Sequence, residues 1–255
     1  MLYTRYPTSG RIRNISVIMQ PITDFGYKNL LVSGCSFTMS EGRHLSWPYF
    51  LRQLGSFENL IDCACNGAGN YHIHHSTIWE IENNPSITPD NTLVVIMWSG
   101  YDRDDIIVDP LSINQSHGCQ YQYNDQAWLA ITGGDGASAN TVIPLDLLSK
   151  IKNLTSRSID NYVLISSLYH YLTAKKFRFV FTEFRTPDSE HDSNFEPTLY
   201  LGTVAQSFTD LVRQISPNLG DYSNVASSPT KHPTRQQHYE WCRDILVPHL
   251  TTMFD

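Results

Sequence analysis

A serine, a glycine-rich turn and a histidine, far apart along the chain, carry the side chains best suited to chemistry. Ser36 stands in "NLLVSGCSFTMSEG" (29–42), where an apolar run breaks into glycine, cysteine and serine. Gly67 and Asn70 stand in "CNGAGNYHI" (65–73), and His232 in "SPTKHPTRQQHYEWC" (228–242). A serine hydroxyl is a weak nucleophile at neutral pH, so attack on a carbonyl requires a base within hydrogen-bonding reach and donors aimed at the oxyanion that forms. A sharp strand-to-helix turn exposes such a hydroxyl beside helix amides, and "GCSFT" fits one. A serine that simply caps the next helix fits the same letters. His232 is followed by Pro233 and by Thr234, a suitable cap for a terminal helix, which holds the imidazole in the loop before that helix.

Bringing these residues together is the task of the surrounding elements. "NLLVSG" (29–34), "ENLIDCA" (58–64), "TLVVIMW" (92–98) and "FRFVFTEF" (177–184) read as buried strands, rich in apolar, β-branched and aromatic residues. Helical patterns separate them: "SWPYFLRQLG", with Pro48 near its start and Gly55 at its stop, and "NYHIHHSTIWEIENNP", ended by Pro85. Strand alternating with helix predicts an α/β fold with a mainly parallel sheet and helices on both faces. In such sheets the loops leaving the carboxyl ends of the strands collect on one edge, where Ser36, Gly67 and the end of the third strand can meet.

One domain over 1–255 is expected, with a core of 27–104 and 144–255. Residues 105–143, including "NQSHGCQYQYNDQ" and "TGGDGASAN", read as an irregular polar insertion, either a substrate-shaping lid or a surface excursion without function. Its tyrosines and tryptophan, like Trp98 and Tyr101, suit either stacking on a sugar ring or packing against the sheet. Helical stretches follow over 144–176, around 204–215 and from Thr234 to about Met253. "NISVIMQ" near the start suits an edge strand.

Composition narrows the partners. Lys and Arg number 18 against 25 Asp and Glu, a formal charge of -7, which leaves no basic stripe for a nucleic acid. No apolar run is long enough to span a bilayer, and the N-terminal stretch lacks the apolar core of a signal peptide, so no membrane partner and a cytoplasmic site of synthesis are expected. Five cysteines form neither a disulfide framework nor a C-x-x-C pair, and Cys35 reads as packing. His72, His74 and His75 are too few and too poorly disposed on one helix to chelate, and read as a solvated helix face; no metal or other cofactor is expected. No pair of carboxylates is placed for glycosidase chemistry.

The three stretches together resemble the SGNH, or GDSL-type, hydrolases, a family of esterases, lipases and carbohydrate deacetylases with a flavodoxin-like three-layer α/β/α fold. Gly34, Cys35 and Ser36 match the nucleophile motif, with cysteine replacing the usual aspartate. Gly67, Ala68, Gly69 and Asn70 match the second, oxyanion-hole motif, and His232 with Pro233 matches the last. The resemblance covers 29–100 and 177–255. It departs from the family at two places. The third strand ends "MWSGYDRDD" and lacks the expected asparagine, resembling instead phage-borne members with a W-[ST]-x-x-x-R motif. Pro229 occupies the position where the family places its acid, leaving Asp221 and Asp102 as candidates.

The resemblance implies Ser36 as nucleophile, His232 as base and the amides of Ser36 and Gly67 as oxyanion donors. Asn70 or Arg103 would assist, although Arg103 could equally pair with Asp104, Asp105 or Glu41 as scaffold. It further implies a small-molecule or polysaccharide ester as substrate, with an O-acetylated glycan in view. A phage origin would make the protein virion-associated among other virion proteins. The rival expectation is a virion or tail protein of the same fold that binds a glycan and turns over slowly or not at all.

Overall fold

The computed structural model describes residues 21–39, 46–100, 103–108, 120–123, 126–132, 154–183, 219–222 and 232–254. Two strands form the centre of the main sheet: β1 (Asn29–Gly34) and β3 (Thr92–Trp98), every residue of which is buried. Their unbroken apolar runs reflect burial on both faces, as a parallel sheet covered by helices requires. β2 (Asn59–Asp62) and β7 (Arg178–Glu183) flank them and are only partly buried. The order is β2-β1-β3-β7, all parallel, with Gly34 level with Met97 and Trp98 level with Glu183. The fold is the three-layer α/β/α arrangement expected.

The chain leaves β1 for β2 on one side and then crosses to β3 on the other, so the connecting helices fall on opposite faces. α1 (Ser36–Met39) and α2 (Trp47–Leu54) lie on the first face. They share it with the C-terminal helix, which runs as α6 (Arg235–Trp241), a π-helical turn (Cys242–Leu246) and α7 (Val247–Phe254). α3 (Asn70–Asn83) and α4 (Leu154–Ala174) pack together on the second face. The reversal of strand order at β1 leaves a crevice at its carboxyl end, the usual ligand-binding position in open α/β sheets. A four-residue helix, α5 (Leu219–Tyr222), precedes the last loop.

Periodicity explains which faces are buried. Trp47, Phe50, Leu51 and Leu54 place α2's apolar stripe on the sheet, and Ile165, Leu168 and Leu172 do so for α4. Trp47, Trp98 and Trp241 are fully buried, each worth roughly 3 kcal/mol of transfer free energy. The sequence predicts one uninterrupted terminal helix, but Pro248 lacks the N–H and crowds the carbonyl of Asp244. The wider turn just before it accommodates that defect.

The insertion is not wholly irregular. β4 (Arg103–Val108), β5 (Gln120–Tyr123) and β6 (Gln126–Thr132) form an antiparallel sheet in the order β4-β6-β5. Runs such as "DDIIV" and "QAWLAIT" are strand-forming, and the polar segments around them masked that signal. The first of these strands starts inside the expected core, at Arg103. The expected edge strand at 14–20 and helix at 204–215 lie outside the described residues. Among the described residues, no helix is long and apolar enough to cross a membrane.

Candidate active site

β1 delivers Ser36 to the carboxyl edge of the sheet. Gly34 and Cys35 are buried while Ser36 is half-exposed. The amides of Thr38 and Met39 both donate to the Cys35 carbonyl, at 2.9 and 3.0 Å, which turns the chain sharply after the strand. Gly34 permits that fold-back: a Cβ there would collide with the Thr38 side chain and lie 3.0 Å from the Met97 carbonyl oxygen. The Ser36 hydroxyl therefore stands at the first residue of α1, in the crevice, and is not sealed in the core.

The loop after β2 runs beside it. Cys63 and Cys65 donate to the carbonyls of Val32 and Gly34, at 2.9 and 3.1 Å, continuing the parallel ladder past the end of β2. Ala68 N–H then closes a turn on the Cys65 carbonyl at 3.2 Å. Gly67 sits third in that turn with φ +75, the left-handed conformation that a type II turn demands and glycine adopts without strain.

α3 begins immediately afterwards. Its first residue, Asn70, is buried and makes three side-chain hydrogen bonds. Nδ2 donates to the Ser99 carbonyl (3.0 Å) and to Asn161 Oδ1 (2.8 Å), and Oδ1 accepts from Ser99 N–H (2.8 Å). Both donors of Nδ2 are thus occupied in tying α3 to the end of β3 and to α4. The structure gives Asn70 a scaffold position, where the sequence offered it as an oxyanion donor. Arg103 opens β4, half-buried, its N–H donating to the Gly100 carbonyl at 3.2 Å.

His232 arrives from the far end of the chain. Thr234 caps α6 with a complete capping box: Gln237 N–H donates to Thr234 Oγ1 (3.3 Å), and Thr234 N–H donates to Gln237 Oε1 (2.8 Å). Pro233 is buried, and the His232 ring packs on Phe37 with centroids 5.1 Å apart. The result is a contact of 2.8 Å between His232 Nε2 and Ser36 Oγ, across 196 positions of sequence. One turn further on, His238 is fully buried. Burial first, and the charge of His232 second, push its pKa down to about 3, so it is neutral at neutral pH.

Other residues named from the sequence lie outside the described residues or in the core. Asp102, Tyr101, Pro229 and the side chain of Asp221 lie outside the described residues. Trp98 is fully buried against Phe181, ring centroids 5.3 Å apart, which gives it to the core and not to a sugar. His72, read from the sequence as part of a solvated helix face, is also fully buried, because α3 is covered by the sheet and α4. Its pKa falls to about 4, chiefly through burial. His74 Nε2 lies 2.8 Å from Ser167 Oγ on α4. Among the described residues, no three metal-binding side chains are grouped.

Sequence reasoning passed over Asn161, and named Asp105 only as a possible partner of Arg103. Asn161 sits on the buried face of α4, in step with Ile165, Leu168 and Leu172. A polar residue in such a stripe signals a buried partner. Asp105 bonds the start of α3 from β4, accepting from Gly69 N–H (2.8 Å) and His72 N–H (2.9 Å). Its strand alternation with Arg103 was the available clue.

No protein-family model matches the sequence, and no curated protein matches it. Solved structures do. The fold is similar to that of TesA. The likeness has a TM-score of 0.50 at 11% identity and covers 88% of this chain and 98% of that one. The psychrotrophic esterase EstA from Pseudoalteromonas sp. gives a TM-score of 0.48 at 11% identity, over 89% and 98% of the two chains. A GDSL-like lipase from Bacteroides thetaiotaomicron gives 0.42 at 12% identity, over 89% of each. At 11% identity the likeness to TesA is one of fold, and the chemistry must be argued from the site.

Proposed function

We propose that this chain is a serine esterase of the SGNH type that removes short acyl groups, with O-acetyl groups on a carbohydrate as its substrate. The observation that carries the reading is the 2.8 Å contact between Ser36 Oγ and His232 Nε2 at the sheet's carboxyl edge. With the imidazole proton on Nδ1, Nε2 accepts the hydroxyl proton as Oγ bonds to the ester carbonyl carbon. The amides of Ser36 and Gly67 receive the resulting oxyanion, with the Arg103 guanidinium as a further donor. Collapse of the tetrahedral species breaks the bond to the alcohol, which leaves with the proton from His232. Water, deprotonated by the same imidazole, then releases the acid and restores Ser36.

Position 229, where the family carries its acid, holds proline. Asp221 and Asp102 are the candidates to orient the far nitrogen of His232, and loss of that charge costs about four orders of magnitude in the serine-histidine-aspartate template. The one whose asparagine variant collapses turnover is the orienting acid; if neither does, the pair works as a slow dyad. The resemblance to phage-borne members makes a capsular or cell-surface polysaccharide the natural source of such esters and a virion the natural setting.

The test pairs p-nitrophenyl acetate hydrolysis and fluorophosphonate labelling with Ser36→Ala and His232→Ala. Each variant is expected to lose at least about a thousandfold in kcat, and Ser36→Ala to lose the label. Labelling untouched by both substitutions overturns the assignment. Folded wild-type protein inert to every short ester, yet retained on an acetylated polysaccharide, favours the glycan-binding alternative.

A further inference from the structure

α3 starts without a cap of its own. Its N-cap residue is Gly69, which has no side chain to offer, although the amides of a first helical turn lack intrahelical acceptors. The carboxylate of Asp105 supplies what is missing. One oxygen accepts from Gly69 N–H at 2.8 Å, and the other from His72 N–H at 2.9 Å. These are the N-cap and N3 amides, the two that a capping box satisfies with two local side chains. Here one side chain on another element takes both, with a negative charge at the positive end of the helix.

The approach is close. A Cβ on Gly69 would lie 2.7 Å from Asp105 Oδ2 and 3.0 Å from the Arg103 carbonyl oxygen, so β4 can press against the start of α3 only over a glycine. Two residues earlier stands Gly67, in the turn closed by Ala68 N–H. The loop 65–70 is consequently anchored at both ends. Cys65 N–H ties one end to the Gly34 carbonyl, on the strand that leads to Ser36, and Asp105 ties the other to β4.

We propose that Asp105 is a positioning residue for the oxyanion loop: by holding the start of α3 it fixes where the Gly67 amide points relative to Ser36. This rests on the esterase reading above. An oxyanion donor acts mainly in the transition state, so displacing it lowers kcat and kcat/KM together and leaves KM nearly unchanged. A cap that served only helix stability would change the melting temperature and not kcat in protein that is still folded.

The experiment compares full-length wild type, Asp105→Asn, Asp105→Ala and Ser36→Ala on p-nitrophenyl acetate, well below each melting temperature. Asp105→Ala is expected to lose about 10- to 100-fold in kcat with KM within twofold, and Asp105→Asn, which keeps one acceptor, to lose less. Added formate, a carboxylate small enough for the vacated position, is expected to restore part of the Asp105→Ala rate and none of the Ser36→Ala rate. An Asp105→Ala enzyme with wild-type kcat, or with its loss confined to KM, overturns this inference alone, provided that Ser36→Ala is dead. Wild type without esterase activity, or Ser36→Ala with full activity, overturns the esterase reading, and this inference falls with it.

Discussion

The two helices that start at the site solve the same problem in opposite ways. α6 is capped by its own residues, Thr234 and Gln237, three apart, two places after His232. α3, which follows the Gly67 turn, is capped by Asp105 from a different sheet and anchored by Asn70 to β3 and α4. The imidazole is therefore positioned by a local device at the surface, and the Gly67 loop by a network that draws on three other elements. A local device can fail without the fold noticing. A distributed one cannot.

The largest expected effect lies on the α3 side. Asn70→Ala removes three hydrogen bonds and leaves the Ser99 N–H, its carbonyl and the Asn161 side chain without that partner in a buried region. At about 1–3 kcal/mol for each stranded group, the loss should reach about 3 kcal/mol or more, lowering the melting temperature by about 10 °C. Thermal unfolding followed by circular dichroism measures it. A drop under about 1 kcal/mol would mean that the network is dispensable and the contrast with α6 false.

Acid should expose both sides at once. His72 and His74 on α3 have pKa values lowered to about 4, and His238 on α6 to about 3, each chiefly by burial. Above pH 6.5 these groups are neutral in both the folded and the unfolded chain, and their contribution is flat. Between about pH 6.5 and 4 the unfolded chain binds protons that the folded chain refuses, so stability falls with falling pH. The slope is about 1.4 kcal/mol per pH unit for each histidine. Urea midpoints recorded from pH 7 to 4.5 should show that fall, and His238→Leu and His72→Leu should each flatten it by one proton. A slope unchanged in either variant would show that the histidine replaced is protonated in the folded state.

The same contrast explains what the sequence disclosed. Strand-end topology put Ser36 and the Gly67 turn on one edge, and the resemblance of the three motifs singled out His232 among ten histidines, so the contact between Ser36 and His232 was legible in the sequence. The parallel sheet was legible because the runs in β1 and β3 are apolar without interruption. Asn161, and the hold of Asp105 on α3, were not legible, since each matters through a partner dozens of residues away: the Asn70 to Asn161 bond spans 91 positions and the Gly69 to Asp105 bond 36. The antiparallel sheet of β4, β5 and β6 was hidden by its polar connections, and the burial of His72 by the other histidines beside it in "HIHH".

The smallest effect on stability should come with a separable effect on rate. Thr234→Ala removes one half of the capping box at an exposed helix start, where such a loss costs about 1 kcal/mol, or about 3 °C in melting temperature. Yet Thr234 is two residues from His232, and the box fixes the direction in which the chain enters α6. Loosening it widens the distribution of distances around the 2.8 Å contact with Ser36, and turnover depends steeply on that geometry. The expected result is a several-fold loss of kcat in protein that is almost as stable as wild type. Thr234→Ser, which keeps the accepting oxygen, should restore both values. A Thr234→Ala enzyme that loses turnover but little stability, beside an Asn70→Ala enzyme that loses both, would separate the local device from the distributed one. A Thr234→Ala enzyme with unchanged kcat would show instead that Pro233 and the packing of the imidazole on Phe37 hold His232 without the cap.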